Sequence, residues 1–285
     1  MFISLSFLIV VEMRNINHLR YNLTMQYPIM LVPVLFVGWV SGAFLNYLAD
    51  ILPYGSRSAM PFCVKCGRQM TWKNYFLWPR RCEFCDTRRS RRPWIVETLA
   101  LVAAVWLWLA PPDRFGFFVG LFLLMYFGLI VIIDIEHRLI LHWVSLTGLI
   151  IGIGLGVWTH GISQTIFGGV IGFGTMLILF YAGKLILKLI TRRQAGAGEE
   201  QREALGFGDV ILGGIIGLIL GLNVILWGLV FAVFIGSIYS FFYLVSLVIS
   251  KRYKTLSMIP YGPFLIASAV FILYFPKVAA VLTKR

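Results

Sequence analysis

The sequence predicts an all-α polytopic membrane protein, a bundle of about eight transmembrane helices with one small cytoplasmic tetracysteine zinc-binding insert. Three observations lead there. The chain is 59% hydrophobic and 13% charged, with a mean hydropathy of +0.86, which is too apolar for a water-soluble domain. Apolar runs close to the roughly 20 residues needed to cross a ~30 Å hydrocarbon core recur along it. Only residues 51–93 break that pattern for long, and all four cysteines fall inside the break.

Residues 1–28 read as an N-terminal extension. Its opening MFISLSFLIVV is apolar but too short to span, and no small-residue cleavage site follows, so no signal peptide is expected. Met13 and Met25 are alternative starts, and a short interfacial helix is the other reading of this segment. Residues 29–50 form the first span and 51–93 the insert. The remaining stretch, 94–285, supplies runs at 94–110, 115–134, 140–158, 165–190, 207–222, 223–249 and 261–281. Two of these, 94–110 and 207–222, are short enough to be tilted or partial, which makes seven or eight crossings.

The net charge of +13 reports orientation before partners, because basic residues collect on the cytoplasmic side of membrane proteins. Of the 25 Lys and Arg, 19 lie in 51–93, 135–139, 184–206 and 250–260, segments that share one side if the spans alternate. That side is assigned to the cytoplasm. The partner implied by composition is a lipid bilayer, and no nucleic acid is expected.

The cysteines are spaced as Cys63-x2-Cys66 and Cys82-x2-Cys85 with 15 residues between the pairs, a zinc-ribbon signature. Two such knuckles let four thiolates converge on one Zn²⁺, with Gly67 freeing the turn after the first pair. Disulfides or unrelated thiols are the alternatives, and a cytoplasmic setting disfavours disulfides. Four sulfur ligands leave no open position, so the metal is expected to be structural. A basic ribbon of this kind also suits acidic lipid head groups or nucleic acid.

Among the 12 acidic residues, those in polar loops are set aside, leaving Asp50, Glu97, Asp134, Glu136 and Asp209. Asp134 closes the run LFLLMYFGLIVIID, and Asp209 follows Gly206-Phe207-Gly208 at the start of VILGGIIGLIL. Gly206 and Gly208 permit positive φ and close approach of a second backbone at Asp209. Ionisable groups at a membrane span are costly and usually face a partner or cavity. Two carboxylates at one depth suit activation of a water, one ionised as base and the other protonated as acid. Taken singly, each Asp also reads as a helix cap or as a partner of Arg138 or Arg202. Two non-proteolytic functions fit the same residues: an ion or proton-coupled transporter using the Asp pair, or a membrane-anchored zinc-ribbon binding protein.

Several blocks together resemble the type IV prepilin peptidase family, the A24 aspartyl peptidases. They are Ser41-Gly42-Ala43-Phe44-Leu45-Asn46 with Leu52-Pro53, the tetracysteine insert, Arg92-Pro93-Trp94-Ile95-Val96-Glu97, Ile133-Asp134-Ile135-Glu136-His137, Leu205-Gly206-Phe207-Gly208-Asp209-Val210 and Ile259-Pro260-Tyr261-Gly262-Pro263-Phe264. The resemblance implies that 94–285 is a transmembrane peptidase domain with Asp134 and Asp209 catalytic, Gly206 and Gly208 as motif support, and Cys63, Cys66, Cys82 and Cys85 binding metal. It further implies an inner-membrane endopeptidase that removes the leader of type IV prepilins or pseudopilins at the cytoplasmic face. Members with the cysteine domain often N-methylate the new terminus with S-adenosylmethionine. Three departures stand out: Ile51 beside Asp50 where members often have Arg, Ile211 where many have Lys, and Ile140-Leu141-His142 after the first Asp block.

His18, His137, His142 and His160 show no ligand spacing. The glycines of the later spans, including Gly168-Gly169, Gly172, Gly174, Gly213-Gly214 and Gly217, read as helix-packing positions.

Overall fold

A computed structural model describes residues 28–54, 61–63, 65–77, 80–112, 114–138, 141–192, 206–249 and 260–276. Residues 1–27 of the N-terminal extension and the basic loops at 193–205 and 250–259 lie outside these residues, while Pro28 already opens the first helix. The described residues are mostly helical, apart from the turns and irregular backbone of the insert, and no strand occurs among them. Its helices are α1 (Pro28–Ile51), α2 (Trp72–Phe76), α3 (Arg92–Leu109), α4 (Gly116–His137), α5 (His142–His160), α6 (Ile162–Arg192), α7 (Phe207–Leu220), α8 (Leu222–Ile249) and α9 (Gly262–Tyr274). Each predicted apolar run contains a helix, the last over Gly262–Tyr274 with 277–281 outside the described residues, and six of these helices are long and apolar enough to cross a membrane.

Helix is the outcome such runs require, since a backbone in hydrocarbon must satisfy its own polar groups. Large apolar side chains face outward, among them Trp143 (73% exposed), Ile178 (70%) and Ile249 (76%). Water would not tolerate that surface, but lipid does. α7 has 14 residues, about 21 Å at 1.5 Å per residue, too short to cross a ~30 Å core. It is instead enclosed, with Val210, Leu212, Ile215, Ile216 and Ile219 all buried.

The described residues divide into two compact units. The first holds α1, the cysteine insert, α3 and the opening half of α4. Here Gly38 and Gly42 let α1 press against α3, where an added Cβ would meet Ala104 and Glu97. Asn46 donates to the Pro93 carbonyl at 3.2 Å. The insert is fastened by Asp50, which accepts from Arg89 at 2.6 Å, from Arg92 and from the buried Tyr75 hydroxyl. The Arg89 guanidinium also lies 3.7 Å above the Tyr75 ring.

The second unit contains the rest of α4 with α5 to α9. Its centre is the contact of α6 with α7, where Gly168 and Gly172 face Gly217 and Gly213 so closely that an added Cβ on any of them would strike the opposite helix. Small residues allow this approach where lipid gives no hydrophobic drive for helix association. Gly174, by contrast, faces open space. Two corners turn on a single residue: Gly161 (φ 84) between α5 and α6, and Gly221 (φ 76) between α7 and α8. Both φ values are in the left-handed region that a side chain resists. His160 secures the first corner, with one ring nitrogen 3.0 Å from the Ile219 carbonyl and the other 3.3 Å from Thr165 Oγ1. It therefore satisfies a carbonyl in the last turn of α7.

Candidate active site and metal centre

The structure sorts the five carboxylates that the sequence left open. Glu97 pairs with Arg80 at 2.9 Å, both side chains buried, and Asp50 is held by Arg89 and Arg92. Glu136 is exposed. Asp134 and Asp209 are both buried, at 6% and 7% exposure, and neither forms a salt bridge among the described residues. Arg138 acts on Asp134 only through its charge, without a salt bridge, and Arg202 lies outside the described residues.

Asp134 sits in the last turn of α4, which ends at His137; the next residue, Arg138, is left-handed (φ 52) and its N–H bonds the Asp134 carbonyl at 2.9 Å. Asp209 is the third residue of α7, its N–H bonded to the Gly206 carbonyl at 3.1 Å. Gly206 caps the helix at φ −73, so it needs no left-handed freedom, and a Cβ there would rest an ordinary 3.6 Å from Asp209 Oδ2. Gly208 is half-buried on the first turn.

The residue that brings the acids together is Gly262, the first residue of α9. A Cβ placed on it would lie 2.6 Å from Asp134 Oδ2 and 3.4 Å from Asp209 Oδ1. The two oxygens are therefore separated by no more than the sum of those distances. Backbone groups of Gly206 and Gly262 hydrogen-bond the Asp209 carboxylate, whereas Asp134 Oδ2 has no hydrogen-bond partner among the described residues. The neighbouring Tyr261 hydroxyl is likewise unpartnered and lies within electrostatic range of Asp209. An unpaired buried oxygen is costly unless a ligand or water uses it. Gly262 and Tyr261 were visible in the sequence only as part of a motif opening the last span, where Tyr-Gly-Pro marks a helix start.

All four cysteines converge. Their sulfurs lie within 4.8 Å of one another, with Cys63 Sγ and Cys85 Sγ 3.6 Å apart and Cys66 Sγ and Cys82 Sγ also 3.6 Å apart. A tetrahedral Zn²⁺ with Zn–S of about 2.3 Å sets S···S near ~3.8 Å, so the cluster fits the metal. A disulfide would need about 2.05 Å, so the sulfurs are unbonded to one another.

The two knuckles have the same fold. In each, the N–H of the first Cys bonds the carbonyl five residues on, Cys63 to Arg68 at 2.8 Å and Cys82 to Thr87 at 3.1 Å. In each, the residue four beyond it is left-handed: Gly67 at φ 66 and Asp86 at φ 50. The thiols are tuned unequally. The Thr87 hydroxyl, 3.3 Å from Cys85 Sγ, and the Thr87 N–H pull Cys85 down to about 6. Backbone N–H groups of Cys66 and Lys65 lower Cys63. Cys66 is lowered by the Arg68 N–H but more than offset by loss of hydration and the neighbouring thiols, which carry it to about 11.

Residues 121–245 match the family model described as the Type IV leader peptidase family, a segment that contains both Asp134 and Asp209. The chain is also 26% identical over 225 residues to a protein of Myxococcus xanthus (strain DK1622) named "Prepilin leader peptidase/N-methyltransferase". That match covers 74% of this chain and 62% of the relative, so the chain spans under two thirds of the relative's length. No solved structure matches. Both matches bear out the resemblance to the type IV prepilin peptidase family carried by the sequence motifs.

Proposed function

We propose that the protein is an aspartyl endopeptidase of the cytoplasmic membrane that removes the leader of type IV prepilins or pseudopilins at the cytoplasmic face, with Asp134 and Asp209 as its catalytic pair. The observation that carries this reading is the convergence of two buried carboxylates, from helices far apart in sequence, on the side chain-free Gly262. Like charges this close do not both ionise, so one acid keeps a proton. The ionised carboxylate takes a proton from a water held between the two, and that water attacks the peptide carbonyl. The protonated carboxyl polarises the carbonyl oxygen and later supplies the proton to the departing nitrogen. Gly262, having no side chain, lets the start of α9 approach both acids more closely than any other residue could.

The concentration of Lys and Arg in 51–93, 135–139, 184–206 and 250–260 supports a cytoplasmic position for the insert and for the end of α4 that bears Asp134. In the insert, Cys63, Cys66, Cys82 and Cys85 hold a structural zinc ion that, once bound, closes both knuckles and fills every ligand position. N-methylation of the new terminus with S-adenosylmethionine is the further activity, on the strength of the relative's name.

Co-expression with a pilin precursor tests the reading, with the N-terminal mass of the product measured. The expected product lacks its leader, and an added methyl mass reports the second activity. Uncleaved precursor in the presence of folded protein, together with ion flux in liposomes, would favour the transporter instead.

A further inference from the structure

The insert contains a second polar feature that neither the acids nor the cysteines explain. A cavity of about 240 Å³ opens in the first unit at the N-terminal end of α3, walled by Arg80, Arg81, Arg88, Arg89, Ser90 and Trp94. At ~30 Å³ per water it has room for about eight waters.

Arg80 is 94% buried by its 6% exposure, and it is held in the left-handed region at φ 52. Its Nε and Nη2 donate to the Phe76 carbonyl at 3.2 and 3.1 Å, and Nη2 also to Glu97 at 2.9 Å. Its Nη1 is buried with no partner. Arg81 repeats the pattern: Nη1 reaches the Asp86 carboxylate at 3.2 Å while Nε is buried and unpaired. Arg89 is engaged by Asp50, a carboxylate it shares with Arg92. Arg88 is exposed and has no carboxylate partner among the described residues. Four guanidinium groups thus meet three carboxylates, one of them shared, and two buried donors are left over. The positive end of an 18-residue helix adds to the same field.

We propose that this cavity binds a phosphate group, a tetrahedral anion with enough acceptor oxygens to take the spare guanidinium donors together. Guanidinium groups bond carboxylate and phosphate alike, but a tetrahedral phosphate has more oxygens with which to bridge donors from separate arginines than a carboxylate or a chloride offers. Two sources present this chemistry, an anionic lipid headgroup or free phosphate. The position favours the lipid: Trp94 borders the cavity, and Ile95 and Leu99, exposed on the first turns of α3, begin an apolar span there. Aromatic residues at that level mark the headgroup zone of a membrane helix.

The test uses full-length, zinc-loaded protein in neutral detergent. One arm titrates inorganic phosphate and follows thermal unfolding; the other measures lipid retained by native mass spectrometry after exposure to equal phosphatidylglycerol and phosphatidylcholine. Arg88→Gln and Arg81→Gln/Arg88→Gln are compared with the parent, with zinc content and far-UV circular dichroism confirming the fold. Arg88, being exposed and unpaired, keeps the comparison interpretable if the double variant does not fold. The expected result is binding in at least one arm, weakened tenfold or more by Arg88→Gln. Retention of phosphatidylglycerol alone assigns the site to lipid, and stabilisation by inorganic phosphate alone assigns it to a free anion. Absence of binding in both arms, or equal binding by parent and Arg88→Gln, overturns the proposal. Peptidase activity is not the readout, so this result stands apart from the proposed function.

Discussion

Gly262→Ala is the substitution whose consequence the geometry fixes most closely. The new methyl would stand 2.6 Å from Asp134 Oδ2. Restoring an ordinary carbon–oxygen contact of about 3.4 Å requires the carboxyl to retreat by roughly 0.8 Å. Because the obstructing atom ends a side chain, the fold can absorb the change by moving Asp134 and not the helices. A misplacement of about 1 Å in a catalytic group lowers a rate by about 10²-fold, so kcat/KM for leader cleavage is expected to fall by roughly 30–100-fold, about 2–2.7 kcal/mol of transition-state stabilisation. Expression and thermal unfolding should change little. Gly174→Ala is the control: with open space beside it, it should retain activity and gain ~0.5–1 kcal/mol of helix stability. The assay is a time course of precursor cleavage in detergent or proteoliposomes. Full activity in Gly262→Ala would refute the placement of the two acids around this residue.

Further outcomes follow from the same structure. Gly206→Ala, whose methyl would make only ordinary contact with Asp209, should cost less activity than Gly262→Ala despite lying within the Gly-x-Gly-Asp motif; the paired rate constants check the order. Acidification should release zinc, because protons compete with the metal for the four thiolates, and a chromogenic chelator should register metal appearing at acid pH and not at pH 8. Glu97→Ala removes the counter-ion of the buried Arg80 and should destabilise the insert and its helices by about 3–5 kcal/mol, seen as a lower unfolding midpoint. Asp86→Gly removes a side chain from a left-handed position that Gly67 occupies in the matching knuckle, so zinc retention should survive loss of the Arg81 pair.

Much of the architecture could be read in advance because the bilayer imposes a single solution on each long apolar run. The spacing of Cys63, Cys66, Cys82 and Cys85 was equally legible, since two tight knuckles carry their ligands in local sequence. What stayed hidden depends on contacts between distant segments. The motif context singled out Asp134 and Asp209, but what Asp50 and Glu97 do stayed hidden until their arginine partners were in place, because no local pattern tells which carboxylate meets a cation. Asp50, an oddity beside Ile51 in the sequence, proves to be the anchor for Arg89, Arg92 and Tyr75. The corners at Gly161 and Gly221 lie at or beside the run boundaries expected at 159–164 and 222–223, but that each turns on one left-handed glycine is a matter of backbone geometry that the sequence pattern does not carry. Positive φ was anticipated near Asp209, yet Gly206 caps its helix at φ −73 and the close approach there comes from Gly262 of another helix. His160 showed no spacing to another ligand, and its role as a partner for the Ile219 carbonyl could not be seen without the fold.

Leader cleavage as proposed requires Asp134 and Asp209 to act as one site. The most direct measurement is leader cleavage by Asp134→Asn and Asp209→Asn, each made in full-length protein and checked for membrane insertion and zinc content. Both substitutions should lower the rate by about 10²–10⁴-fold, since base and acid contribute to the same step, and the double variant should be no worse than either alone. Cleavage at the parental rate by either single variant would contradict that requirement.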